Sequence, residues 1–426
     1  MKFLIYLIIA SSTFTLYSQN YSSNWVFGNG AWINFKDNTS DPFFVEQAAI
    51  NQYEGCTSFS DKNGILLFYS DGVSVWNRFH QTIANGTGLK GSWTSSQSAH
   101  IVPFPNNKDK FYIITPGATE KKNETIYYSI IDTSGGYSNS TITIKNTELN
   151  SNYDGERVAI VKQPSNNNYW LILNDIKAPE YLVYEITDNG INLKSTYNGG
   201  LSKVDNHGSL KISTNSNLII SPNSDRLEFE ILRFNPFKGE IYESVVLTDS
   251  KIGTTIYGVE FSPNSNFAYI SANTNKNGSW FTIVTQFDII EWFKNKKIFV
   301  STLTNNTFTW RNKSNESLQL APNNKIYIAV AEANYLNSIE SPNLKSPLCN
   351  FKSQSVDLKN TKSKLGLPGR VVEPIITYKF IDTVVCDGID FLFETDVGNN
   401  AFWVTPNKGT IVNRDLKLLN FSELDT

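Results

Sequence analysis

Five acids could form a catalytic pair in this chain: Glu54, Asp71, Glu156, Glu260 and Glu316. Bond cleavage in sugars needs two carboxylates, one giving a proton and one taking a proton or attacking, and the two can lie far apart in sequence. Each of the five also reads as a turn or rim carboxylate, and that plainer reading is preferred. His80, His100 and His207 are the only histidines. No two share a metal-ligand spacing, and no acidic partner pattern accompanies them. They read as strand or loop residues, with His207, just ahead of an apolar run, the least ordinary. No nucleophile elbow of the G-x-S-x-G type and no phosphate-binding loop occurs. Asp61-Lys62-Asn63-Gly64 and Asp188-Asn189-Gly190 offer oxygen ligands without completing a calcium loop, so calcium stays open and no other cofactor is expected.

The elements that must position these residues repeat. An alternating apolar run leads into Ser-Pro-Asn or a variant, then into a second β-rich run. The clearest copies are Tyr257–Asn264 and Ser317–Asn324, with weaker ones around residues 210, 158, 101 and 57. The turn markers at 61, 105, 164, 214, 263 and 322 recur at the roughly 50-residue period of four-stranded propeller blades. Asn-Gly and Asp-Gly pairs supply tight hairpins. Six markers with flanking strand material predict an all-β chain with a seven-bladed β-propeller over residues 19–378, six or eight blades remaining open. The pair of strands in Asn24–Phe35 is expected to complete the final blade, because closing the ring protects exposed sheet edges. Helix is expected only around Phe287–Lys294. Ser60-Asp61-Lys62-Asn63-Gly64 resembles an Asp-box turn but has one residue too many between Asp and Gly, so it reads as a plain hairpin turn.

On such a ring Leu210, Ile212, Val259, Phe261, Leu318 and Leu320 hold matching inner-strand positions and fill the space between blades. Lys211, Glu260 and Gln319 hold the matching positions between them and need partners there. The binding candidates, at the channel or its rim, are Glu54, Arg78, Gln97, Arg157, His207 and Glu316. No catalytic residue and no metal ligand is assigned. Trp93 and Tyr137 are loop aromatics that could stack on sugar rings.

Net charge is −3 and no basic stripe stands out, which argues against nucleic acid as a partner. Residues 1–18 read as a signal peptide, with Lys2, an apolar run from Phe3 to Ala10, and cleavage after Ser18. The run is too short and too polar to stay in a bilayer. Three cysteines in an exported chain this long do not make a disulfide framework. Cys56 and Cys349 read either as a bridge between the first and last blades or as two separate buried thiols. Residues 379–426 form a new unit, in which Cys386 and Trp403 are spaced like the paired Cys and Trp of an immunoglobulin-like sandwich. About 45 residues are too few for that sandwich, so this is expected to be an incomplete domain of a longer protein or of a gene cut short.

Several segments carry a family resemblance. Asn24-Trp25-Val26-Phe27-Gly28-Asn29-Gly30, Glu54-Gly55-Cys56, Leu66–Arg78, Asn85–Leu89, Ser95–Ala99, Ser341–Leu344, Cys349–Phe351 and Leu365–Pro368 follow in order. They resemble the N-terminal region of large secreted Bacteroidetes surface proteins with PKD or immunoglobulin-like repeats and a gliding-motility-associated sorting domain. The resemblance implies export by the type IX system to the cell surface, and supplies no activity. Two departures are the missing sorting domain and Asn174 where relatives would carry His. The expected function is a non-catalytic binding or adhesion module that meets an extracellular glycan or protein through the top face. The alternatives are an extracellular glycoside hydrolase or lyase, and a structural spacer. Acids and arginine gathered at one channel mouth would mark the enzyme; a broad aromatic surface would mark glycan binding.

Overall fold

The computed structural model describes residues 20–374 except 37–38, 118–124, 179, 202–206, 224–227, 250, 252, 254, 277–278, 297–299 and 309–313, together with the strand residues 390–391, 401–405, 409–413 and 419–420. The signal-peptide reading and Cys386 fall outside them. The chain divides into two compact units, Met1–Ile375 and Ile376–Thr426.

The first unit is built from antiparallel meanders that follow one another along the chain. Its first sheet holds β1 (Asn24–Phe27), β2 (Asn29–Asn34) and β3 (Phe43–Asn51). Two meanders follow: β4 (Cys56–Ser60), β5 (Leu66–Ser70), β6 (Ser74–Asn77) and β7 (Thr82–Thr87), then β8 (His100–Pro103), β9 (Lys110–Pro116), β10 (Ile126–Asp132) and β11 (Thr141–Asn150). A single parallel register, Thr141 on Ala84, joins their outer strands into one sheet. Next come β12 (Val158–Lys162), β13 (Tyr169–Asp175), β14 (Glu180–Thr187) and β15 (Gly190–Asn198). Then β16 (Lys211–Ile212), β17 (Leu218–Asn223), β18 (Glu228–Asn235) and β19 (Glu240–Thr248). After them come β20 (Thr255–Phe261), β21 (Phe267–Lys276), β22 (Ser279–Asp288) and β23 (Val300–Phe308). The last meander is β24 (Asn315–Leu320), β25 (Ile326–Val330), β26 (Tyr335–Ile339) and β27 (Phe351–Asp357). The expected helix is α1 (Ile289–Asn295), capped by Asp288, whose carboxylate accepts the Glu291 N–H at 3.0 Å. Five sheets of four or more strands thus stand in a propeller-like, all-β arrangement.

The six sequence markers all fall in the turn after the first strand of a meander. These turns share one construction. Ser213 Oγ accepts from Leu218 N–H and Ser262 Oγ from Phe267 N–H, both at 3.0 Å. The fourth turn residue is left-handed in three of them, Ser216, Ser265 and Asn324 (each φ 61°), and in the turn from Phe104 the third, Asn106 (φ 59°), takes that conformation. The neighbouring hydroxyl or amide offsets the cost of that conformation.

Cores lie between successive meanders. Val161, Trp170 and Ile172 of one pack with Ile212, Ile219 and Leu232 of the next. The innermost strands are therefore covered on both faces. Their polar alternates are buried too, and Glu260 is only 1% exposed.

Ring closure differs from expectation. β1 and β2 do not join the last meander; they pair with each other and with β3 as a separate sheet. Closure comes from a shared core, in which Trp25, Phe27 and Phe35 pack with Tyr327 and Leu336 on one side and Leu66 and Tyr69 on the other. The chain then crosses the centre as a strap. Its strand β28 (Pro368–Gly369) lies parallel to β4, and β29 (Val371–Val372) lies parallel to β12. The strap fits because Gly366 and Gly369 lack side chains. A Cβ at Gly366 would overlap the Glu54 carbonyl oxygen, and one at Gly369 would stand 2.6 Å from His100 Cε1. Gly366→Ala is expected to lower unfolding stability by roughly 2 kcal/mol, because backbone must shift to admit the methyl. A denaturant midpoint equal to that of the parent would show that the strap is loosely held.

Cys56 and Cys349 are separate buried thiols. In the second unit β30 (Asp390–Phe391) pairs with β33 (Leu419–Asn420), and β31 (Ala401–Thr405) pairs with β32 (Gly409–Asn413).

Candidate functional site

All innermost strands run in the same direction along the axis, so the residues at their N-terminal ends meet at one channel mouth. Glu54 precedes β4; Ser96 and Gln97 precede β8; Glu156 and Arg157 precede β12; His207 and Gly208 precede β16. Tyr257 is the third residue of β20 and Glu316 the second of β24. Six meanders thereby place polar groups at one mouth.

Two carboxylates share Ser96. Its backbone N–H donates to Glu156 Oε2 at 2.8 Å, and its hydroxyl donates to Glu54 Oε2 at 3.3 Å. Tyr257 Oη also donates to Glu54 Oε2, at 3.0 Å, and Gly208 N–H donates to Ser96 Oγ at 3.1 Å. Glu54 is 5% exposed and Glu156 is 1% exposed. Burial first, and then the Glu156 carboxylate, push the Glu54 carboxyl up to about 8; its hydrogen bonds and nearby His207 only partly oppose this. At neutral pH Glu54 is therefore a protonated acid beside another carboxylate.

That shift has a consequence for stability. The fold favours protonated Glu54, so its contribution is whole below the ordinary value of 4.5 and disappears as pH rises to about 8. Glu54→Gln is expected to gain stability relative to the parent across that window, by on the order of 1 kcal/mol per pH unit. Chemical denaturation at several pH values reads this directly, and a pH-independent difference would count against the shift.

The remaining candidates take distinct places. Gln97 stitches two innermost strands together. Its Nε2 donates to Val158 O at 2.8 Å, and its Oε1 accepts from Val158 N–H at 3.0 Å and Leu210 N–H at 2.8 Å. Arg157 is fully buried and donates to His207 O at 2.6 Å, Asn174 Oδ1 at 3.2 Å and Ser221 Oγ at 3.4 Å. It is a positioning residue that holds the backbone of half-buried His207. Asn174, noted as a departure from the family pattern, is one of its anchors. Glu316 accepts from Ser314 Oγ and from Asn273 Nδ2, the latter at 3.3 Å. Arg78 does not join them. It lies on an exposed hairpin between β6 and β7, over the Phe79 ring at 4.8 Å. An outer hairpin faces away from the axis, so an arginine there cannot reach the mouth.

One level further along the axis the expected polar triad meets. Lys211 Nζ lies 2.6 Å from Gln319 Oε1 and 3.4 Å from Glu260 Oε2, which also accepts Leu320 N–H at 2.9 Å. Ser96 and Tyr257 are not among the residues singled out in the sequence for the mouth, and Glu156 stands only in the pool of acids. Each was recoverable by aligning the repeats and reading the residues just upstream of each innermost strand. Trp93 borders the mouth: it is 49% exposed, its carbonyl accepts Glu54 N–H at 3.2 Å, and its ring meets Tyr53 edge-on at 6.2 Å.

No protein-family model and no curated protein matches the chain. Solved structures do. One from Bacteroides uniformis, named a “putative 6-phosphogluconolactonase”, has a TM-score of 0.51 at 10% identity, covering 79% of this chain and 98% of its own. A protein from Lactobacillus plantarum has a TM-score of 0.48 at 12% identity, covering 81% of this chain and 98% of its own. A Bacteroides fragilis protein of the same name as the first has a TM-score of 0.47 at 11% identity, covering 81% and 97%. At 10% identity the likeness to the first of these establishes a propeller fold and no more. The expected function is corrected as well. The first of these structures bears an enzyme's name, and the mouth gathers buried acids with an arginine rather than a broad aromatic face. A non-catalytic binding or adhesion module is therefore set aside.

Proposed function

We propose that this chain is a hydrolase of a sugar-derived ring, with Glu54 as proton donor and Glu156 as base. The observation that carries it is the carboxylate pair joined through Ser96, one member lifted to about 8. A carboxyl held protonated at neutral pH beside a second acid is the arrangement that acid–base cleavage requires. The name of the Bacteroides uniformis structure suggests a sugar lactone as substrate, by analogy of fold alone. In that reaction Glu156 takes a proton from water as its oxygen attacks the carbonyl carbon. The bond from that carbon to the ring oxygen breaks, and the ring oxygen leaves with the proton of Glu54. The product is the hydroxy acid, and exchange with solvent resets the pair. Tyr257 holds Glu54 in place, and Trp93 offers a stacking face for the sugar.

The same pair could cleave a glycoside, the second reading. A panel of six-membered sugar lactones and chromogenic glycosides separates them. Lactone opening by the full chain, reduced at least about 10²-fold in Glu156→Gln, is the expected result. Cleavage of glycosides alone would move the reading to the second class. Hydrolysis no faster than a protein-free blank on both would end it. We further read the three-stranded sheet and the six meanders as seven blades, and residues 379–426 as the first strands of an immunoglobulin-like unit. The family resemblance and residues 1–18 support export to the cell surface. Among the described residues no helix is long and apolar enough to cross a membrane.

A further inference from the structure

Beyond Gln97, about 10 Å further along the innermost strands from the carboxylate pair, the channel holds a second polar chamber. It is lined by His100, Lys211, Glu260, Arg370 and apolar residues of β12 and β16, and its free volume of about 20 Å³ suits one guest near the size of a water molecule. His100 is 2% exposed, and neither ring nitrogen has a hydrogen-bond partner. Its ring lies against Gly369 of the strap. Arg370, the next strap residue, makes no hydrogen bond with any described residue. Glu260 is already engaged: Oε1 accepts Phe261 N–H at 2.9 Å, and Oε2 takes Leu320 N–H and faces Lys211. Among the described residues it is the sole acid lining the chamber, against the two cations Lys211 and Arg370.

We infer that this chamber binds a small inorganic monoanion of halide size, held by the Arg370 guanidinium and a His100 ring N–H. A surplus of one positive charge in this part-buried chamber is costly without a counter-charge, and the buried His100 N–H with no acceptor is costly in the same way. A water would satisfy the hydrogen bonds but not the charge. The anion joins the strap to the blade that carries His100, so it locks the strap across the channel. The site is separate from the carboxylate pair and does not rest on the reading of its activity.

The test uses the full chain, with sodium bromide titrated against sodium methanesulfonate at constant ionic strength. Bromide is expected to raise the thermal midpoint saturably by a few degrees, and Arg370→Gln is expected to abolish that rise. Crystals soaked in bromide give a second readout that needs no variant: an anomalous peak within hydrogen-bond distance of His100 and Arg370. A bromide effect of equal size in Arg370→Gln would overturn the inference. So would a chamber that holds only a water in the bromide-soaked crystal.

Discussion

Replacing Glu54 with Gln is expected to lower kcat/KM for the sugar-ring substrate by about 10²–10⁴-fold while the protein stays folded. The reason is the proton. Glu54 is held protonated at neutral pH by burial and by Glu156, and the amide keeps the shape and the contacts from Tyr257 and Ser96 but cannot release a proton to a leaving oxygen. The parent rate should fall on the alkaline side as Glu54 ionises near 8, and the variant's residual rate should lack that limb. Unchanged kcat/KM in the variant would remove Glu54 from the chemistry. A lost rate with an intact alkaline limb would assign the limb to another group.

Lys211→Met is expected to cost about 3–5 kcal/mol of unfolding stability. Glu260 is 1% exposed and faces Lys211 at 3.4 Å, so the single change takes away the one cation in ion-pair contact with a buried carboxylate. Lys211→Met combined with Glu260→Leu should cost less than the sum of the two single changes, because the stranded charge is gone. A double-mutant cycle by urea unfolding measures the coupling. Simple additivity would show that the backbone N–H groups of Phe261 and Leu320, not Lys211, hold Glu260.

The triad of Lys211, Glu260 and Gln319 was legible because strands at matching repeat positions must become neighbours in a ring. The structure places four of the binding candidates, Glu54, Gln97, Arg157 and His207, just upstream of innermost strands and Glu316 at the start of one. Sequence reading failed for Arg78, because a residue in an outer hairpin can look polar and prominent in sequence while facing away from the axis. It also failed for Trp25 and Phe35. Ring closure needs the edges protected, and strand pairing and a shared core meet that need equally well on paper.

Period, alternation and turn chemistry by themselves determined the all-β class, the six turns, the short helix and the inner-strand positions, since each depends on residues close in sequence. Tertiary structure alone decided how strongly two acids interact. Glu54 and Glu156 are about a hundred residues apart, and only the convergence of meanders on one axis puts both on Ser96. It alone decided that the strap crosses the channel, because Gly366 and Gly369 are defined by what they touch rather than by their neighbours in the chain. Acidity shifts, buried charge balance and close backbone approach come from distances across the ring, and no local pattern in the sequence encodes those distances.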